Sequence, residues 1–248
     1  MKGSEPKMKV TSATNIGPRK ENQDRVYTTT LPDGSVLAIL CDGMGGENAG
    51  GFASETAVNI IKKRMIFGYS ENFDSNSIRN VLISSVSAAN AAVFAASVED
   101  EDKKGMGTTC VIAFVRNGVA HIVNVGDSRA YFITKNVMEQ ITKDHTVVRF
   151  LLDSGEISEE EVKTHPQRNY ITRAVGTASV VDIDYFEKNI VDDGKLLLCS
   201  DGLSSYCSDD EIFTVVNNGN IEQNAEDLIN LALPKTRDNI SIALISNL

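Results

Sequence analysis

The chain has 248 residues, of which 34 are acidic and 24 basic, giving a net charge of −10, and 42% of it is hydrophobic with no tryptophan. That charge disfavours nucleic acid and anionic membrane surfaces as main partners, because both repel an acidic protein. The length suffices to bury a substantial core, and the composition is that of an ordinary globular protein.

Along the chain, Met1 to Val10 contains no apolar stretch of the kind a signal peptide needs. The run Val36–Cys41, six residues long and rich in β-branched and aliphatic side chains, predicts a buried strand and is far too short for the ~20 residues of a membrane span. Ala53, Ala57, Ile60, Ile61 and Met65 recur at helical spacing, and so do Ile78, Leu82, Ala89 and Val93, with a loop between them over Gly68 to Ser77. Cys110–Val115 and Ala120–Val125 read as strands joined at Arg116-Asn117-Gly118, a hairpin turn signal, and Ala130–Ile133 follows as a third. Ser158 with Glu161 and Ser208 with Glu211 are capping boxes that open helices. Asp192-Asp193-Gly194 predicts a turn before the strand Leu196–Cys199. Ala225, Leu228, Ile229 and Ala232 mark a last helix, and Ile240–Ile245 a last strand. Strands and helices in this order predict an α+β sandwich of mostly antiparallel sheets with helices outside, in a single domain over residues 1–248. The four cysteines show no Cys-x-x-Cys or zinc spacing, and thiols without an export signal predict a cytoplasmic protein.

Aspartates recur at the strand ends. Val36–Cys41 runs into Asp42-Gly43, Ala120–Val125 into Gly126-Asp127, and Leu196–Cys199 into Ser200-Asp201-Gly202, while Asp238-Asn239 precedes Ile240–Ile245. Each of these alone is ordinary turn chemistry. Brought to one edge of the core they would repel one another, and a cation among them would relieve that repulsion. Oxygen ligands with no histidine or cysteine beside them suit Mg²⁺, Mn²⁺ or Ca²⁺ rather than zinc or copper. Gly43 lets the backbone come close, so its carbonyl is a further candidate ligand. The Gly-rich stretch Asp42 to Gly51 lacks the Lys-Ser/Thr of a P-loop and the glycine spacing of a dinucleotide fold.

Nine segments in order resemble the 2C-type (PPM) protein phosphatase family, above all its compact bacterial members. They are Arg19 to Asp24, Leu37 to Gly46, Gly107-Thr108-Thr109, Gly126 to Tyr131, Thr142 to His145, His165 to Asn169, Thr172 to Gly176, Leu198 to Gly202 and Asp238-Asn239-Ile240. The resemblance implies a four-layer α/β/β/α sandwich with metals at one end and a flap over about residues 144–176. It implies that Asp42 bridges two ions, Mn²⁺ or Mg²⁺, with the Gly43 carbonyl on one and Asp201 and Asp238 on the other. It implies Asp24 behind them contacting ion-bound water, Asp127 with Asp201 on a third and weaker ion, and Arg19 gripping the substrate phosphate.

The reaction so implied is hydrolysis of phosphoserine and phosphothreonine in proteins by a water held between the two ions, without a phosphoenzyme. Phosphoproteins, and a cognate Ser/Thr kinase with its substrates, are the implied partners of a monomer. Met44 stands where animal members carry a histidine proposed as general acid, and Lys235-Thr236-Arg237 replaces a Gly-rich turn before Asp238. His145 and His165 read as structural residues of the flap, His121 as part of a strand, and Arg129 and Arg173 as salt-bridge partners. Two rivals keep the same residues: a binding module without turnover, and a Ca²⁺-binding structural protein.

Overall fold

A computed structural model describes residues 8–46, 49–190 and 193–246. The first sheet has the order β1–β11–β10–β7–β8, from Lys9–Asn15, Ile240–Ser246, Lys195–Cys199, Arg129–Ile133 and Met138–Gln140. The second has the order β2–β3–β5–β6–β9, from Asp24–Thr30, Val36–Met44, Cys110–Arg116, Val119–Val125 and Asp184–Asn189. The two-residue β4, Gly107–Thr108, pairs with the end of β3. All these pairings are antiparallel.

Three apolar layers hold the sandwich together. Between the sheets lie Val36, Ala38 and Leu40 of β3 with Leu196, Leu198 and Ala243 of the other sheet. The alternate β3 residues Leu37, Ile39 and Cys41 face the opposite way, onto helices α1 (Ala49–Gly68) and α2 (Ser75–Glu99). On the far side Leu197, Ile242 and Leu244 meet α5 (Asp201–Ser204), α6 (Asp209–Val216) and α7 (Ile221–Ala232). The layers therefore run α/β/β/α. Strands buried on both faces favour apolar residues at nearly every position, which is why the inner strands read as near-continuous apolar runs. Each such Leu, Ile or Val contributes roughly 1.5–3 kcal/mol by leaving water.

Local signals match the local structure. Asn117 and Gly118 both take positive φ, 49° and 74°, at the hairpin between β5 and β6. Both capping boxes are made: Ser158 opens α4 (Glu159–Thr164) and Ser208 opens α6. The expected interhelical loop is confined to Tyr69–Asp74, since α1 runs through Gly68 and Asp74 caps α2.

Among the described residues α2 is long and apolar enough to cross a membrane by length and composition alone, with mean hydropathy 1.8 over its best window. Its alanines are broken up by Ser and Asn, so no uninterrupted apolar run marked it. Its Ile78, Leu82, Val86, Ala89 and Val93 are buried in the core against α1 and the sheet. Helix α3 (Val147–Asp153), in the expected flap, was not foreseen. Residues Met1 to Lys7, Glu47, Asn48 and Asp192, named above in the N-terminal, Gly-rich and turn segments, lie outside the described residues.

Candidate metal centre

The strand ends that carry aspartate meet at one end of the sandwich. Asp42, near the end of β3, is paired across the sheet with Asp24, the first residue of β2. Asp201 opens α5 directly after β10, and Asp238 precedes β11, the neighbour of β10. Asp127 lies in the three-residue link from β6 in one sheet to β7 in the other. Asp42, Gly43, Asp127, Asp201, Asp238 and Arg19 all line one cavity of about 870 Å³. Asp24 does not line it. It is buried just behind, 3% exposed.

Backbone clamps hold each acid in position. The Asp42 N–H donates to Thr109 Oγ1 at 2.9 Å, while its carbonyl accepts from the Thr109 N–H at 2.8 Å and from Thr108 Oγ1 at 2.9 Å. This accounts for the Gly107-Thr108-Thr109 segment, whose hydroxyls fix Asp42. Ser200 Oγ donates to Asp24 Oδ2 at 2.8 Å and accepts from the Ser241 N–H at 3.0 Å, tying the two sheets together. Asn239 accepts from the Gln23 N–H and donates to the carbonyls of Ile16 and Glu21, which pins the loop bearing Arg19. A Cβ on Gly202 would stand 1.8 Å from the Asn239 carbonyl oxygen, and one on Gly43 would stand 2.1 Å from that of Gly50. Only glycine permits those approaches.

The electrostatics are severe. Burial pushes the Asp42 carboxyl well above its ordinary range, and the charges of Asp24, Asp201, Asp127 and Asp238 add to the effect. Asp201 is pushed well up by burial, then by Asp127, Asp238 and Asp24. Burial raises Asp24 to about 6, against hydrogen bonds from Ser200 and Ser241 that lower it. Asp127 also rises to about 6, from burial and then the neighbouring Asp144. Asp24 Oδ1 and Asp201 Oδ1 are buried with no hydrogen-bond partner among the described residues. A buried oxygen of this kind is costly unless something positive meets it.

An oxygen-only set with unmatched buried carboxylate oxygens fits a hard divalent cation. Among the described residues no three acidic, His or Cys side chains close on a single point by themselves. Arg19 is in contact with this cluster. Its Nη2 donates to Asp238 Oδ2 at 2.6 Å and its Nε to the Arg237 carbonyl at 2.9 Å, leaving Nη1 without a partner among the described residues.

The histidines stand apart from the acids. His145 Nδ1 accepts from the Gly126 N–H at 3.0 Å, so the proton sits on Nε2, 3.1 Å from Asp184 Oδ2. Arg173 closes this group with a 2.7 Å bond to Asp184 Oδ1. Burial lowers the His145 pKa, and the neutral ring props the backbone beside Asp127. His121 is buried in β6 against the Tyr185 hydroxyl, and His165 ends α4. Arg129 forms its salt bridge with Asp144 at 2.6 Å. The Thr108, Thr109, Ser200, Asn239 and Asp184 contacts were not foreseen. The hydroxyl and amide residues among them sit beside the recognised aspartates or strands, but hydroxyls are too common for adjacency to single them out.

Residues 13–230 match the family described as protein phosphatase 2C. A putative 2C-type protein phosphatase of Streptococcus pyogenes is 35% identical over 243 residues, covering 97% of this chain and 98% of its own. The structure of a serine/threonine phosphatase from Staphylococcus aureus superposes with a TM-score of 0.89 at 36% identity, over 99% of this chain and 96% of that one. The catalytic domain of the protein phosphatase PstP, solved in complex with 2 manganese ions, superposes with a TM-score of 0.82 at 28% identity, over 96% and 97% of the two chains. With the four layers, the ordered motifs and the buried acidic cluster, these likenesses make the chain a member of the 2C-type (PPM) family of metal-dependent serine/threonine protein phosphatases.

Proposed function

We propose that Asp42, the Gly43 carbonyl, Asp201 and Asp238 hold two Mn²⁺ or Mg²⁺ ions with which this phosphatase hydrolyses phosphoserine and phosphothreonine in proteins. The observation that carries this reading is the set of mutually repelling, buried carboxylates lining one cavity with an arginine at its edge. When bound, the ions supply positive charge that activates water near neutral pH and offsets charge on the phosphoryl oxygens. Arg19 receives the phosphate. Its Nε and Nη2 edge is used by Arg237 and Asp238, and the Nη1 end remains to donate to phosphoryl oxygens. Asp24, held by Ser200, orients water at the back of the site. Asp127 with Asp201 takes a third, weaker ion, as their mutual repulsion supports.

A cysteine phosphoenzyme is disfavoured by the thiols themselves. Cys41, Cys110, Cys199 and Cys207 are all buried. Contact with Cys110 and burial push the Cys41 thiol well up, and burial pushes Cys199 to about 12. Neither is a thiolate at neutral pH. Met44 lines the cavity and has no proton to give, so the leaving oxygen takes its proton from water.

The chain acts as one catalytic domain, in the cytoplasm, opposite a Ser/Thr kinase. Residues 144–176 form the flap that shapes substrate choice. Supporting this, the segment is tied down at its ends by the Thr146–Ile171 bridge and His145, while Phe150 and Tyr170 are exposed. The direct experiment is hydrolysis of p-nitrophenyl phosphate and of a phosphothreonine peptide with Mn²⁺ and then with EDTA. Absence of a metal-dependent rate would reject catalysis and favour the binding-module reading.

A further inference from the structure

A cavity of about 870 Å³ is the size that takes a whole drug-like ligand, much more than one phosphate group. Residues flanking the phosphorylated side chain must therefore enter it or cross its mouth. Five acidic side chains line it, Asp42, Asp127, Asp201, Asp238 and Glu21, against two cations, Arg19 and Lys20. Arg19 is committed to Asp238 and Arg237. Lys20 is exposed and, among the described residues, forms no ion pair, although the chain carries a net charge of −10 and many other surface lysines are paired.

We propose that Lys20 is a specificity-determining residue that selects phosphoprotein segments with a carboxylate side chain next to the phosphoserine or phosphothreonine. The inference rests on the phosphatase reading above and on Arg19 as the phosphate grip. Lys20 follows Arg19 in the loop pinned by Asn239, so with phosphate on Arg19 the neighbouring peptide residue comes nearest to Lys20. The flap residues lining the cavity, Asn169 and Ile171, are uncharged and offer a flanking residue no competing ionic partner. An acidic segment approaching this protein meets general repulsion, and a lysine at the mouth supplies local attraction through a flexible, hydrated point charge.

The test uses three phosphothreonine peptides, identical except for Glu, Gln or Lys on both sides of the phosphorylated residue. Phosphate release by the Mn²⁺-loaded enzyme is measured for wild type, Lys20→Gln and Lys20→Glu. Exposed ion pairs of this kind contribute modestly, so the wild type should favour the Glu over the Gln peptide about two- to fivefold in kcat/KM, expressed in KM. Lys20→Gln should lose the preference and Lys20→Glu should favour the Lys peptide. The wild-type preference should also fade at about 1 M salt, where the screening length is about 3 Å. Each comparison is a ratio within one variant, so a general loss of activity cancels. No preference in the wild type, or one that both variants retain, overturns the assignment of Lys20. No Mn²⁺-dependent release from any peptide overturns the phosphatase reading together with it.

Discussion

Stripping divalent ions should make this fold lose stability as the pH rises from about 4 to about 6.5. Asp24 and Asp127 titrate near 6 in the folded chain against 3.8 ordinarily, because burial penalises their charged forms. The folded state then binds more protons than the unfolded chain between those two values. Stability is therefore highest at the acid end and falls as pH passes through about 6. At ~1.4 kcal/mol per pH unit, each group costs the ionised fold about 3 kcal/mol, or about 6–12 °C in Tm for a chain of this length. His121 and His145, whose pKa values burial lowers below 6.5, act in the opposite sense in this window, while Asp42 and Asp201, pushed well up by burial, add to the loss. Asp184, lowered despite burial by its bonds to His145 and Arg173, and Glu211, brought to about 2 by Lys235, make their gain mainly below about pH 4.5. Thermal unfolding followed by circular dichroism, in EDTA and in Mn²⁺ across this pH range, measures it. Mn²⁺ should flatten the slope, because a cation favours the ionised carboxylates. Asp24→Asn should flatten it in EDTA, since its carbonyl can still accept from Ser200. A Tm in EDTA that is constant or rises across the window would refute the reasoning.

Asp42→Asn and Asp201→Asn should each abolish metal-dependent turnover, seen with p-nitrophenyl phosphate, while raising Tm in EDTA at neutral pH because a buried charge is removed. Arg19→Ala should raise KM and the inhibition constant of inorganic phosphate more than it lowers kcat, as steady-state kinetics will report. Thr109→Val keeps the side-chain shape but leaves the Asp42 N–H without its acceptor, for a loss of about 1–3 kcal/mol in urea unfolding. Gly202→Ala drives a methyl into the Asn239 carbonyl and should destabilise by at least about 2 kcal/mol in the same assay.

What was legible in the sequence follows from where each strand sits. The expected strands Val36–Cys41, Cys110–Val115, Ala120–Val125, Ala130–Ile133, Leu196–Cys199 and Ile240–Ile245 are the inner strands β3, β5, β6, β7, β10 and β11. Burial on both faces writes a largely apolar run into each, broken only at His121, Asn124 and Ser241. The strands that escaped notice, β1, β2, β8 and β9, are the four sheet edges, and two-residue β4 adds only a short side pairing. Edge residues such as Arg25 to Thr30 of β2 are only partly buried or exposed, so polar side chains interrupt them and no run forms. Capping boxes and the Asn117-Gly118 turn involve residues within a few positions of each other, and local order suffices to declare them.

The residue types of the site, acids at strand ends, were likewise local and visible, and their order along the chain pointed to the family. Their convergence was not local. Asp24 meets Ser200 across 176 positions, a contact between the two stacked sheets, and Arg19 meets Asp238 across 219, where the loop after β1 lies beside the loop entering β11 of the same sheet. The same holds for Arg19 spending one edge on Asp238 and for His145 bracing Gly126 from the flap. Chain pattern alone determined which segments are apolar and where carboxylates end them. Tertiary packing decided which of those carboxylates share one dry corner, because electrostatic repulsion and burial depend on distance in space, which sequence separation does not encode.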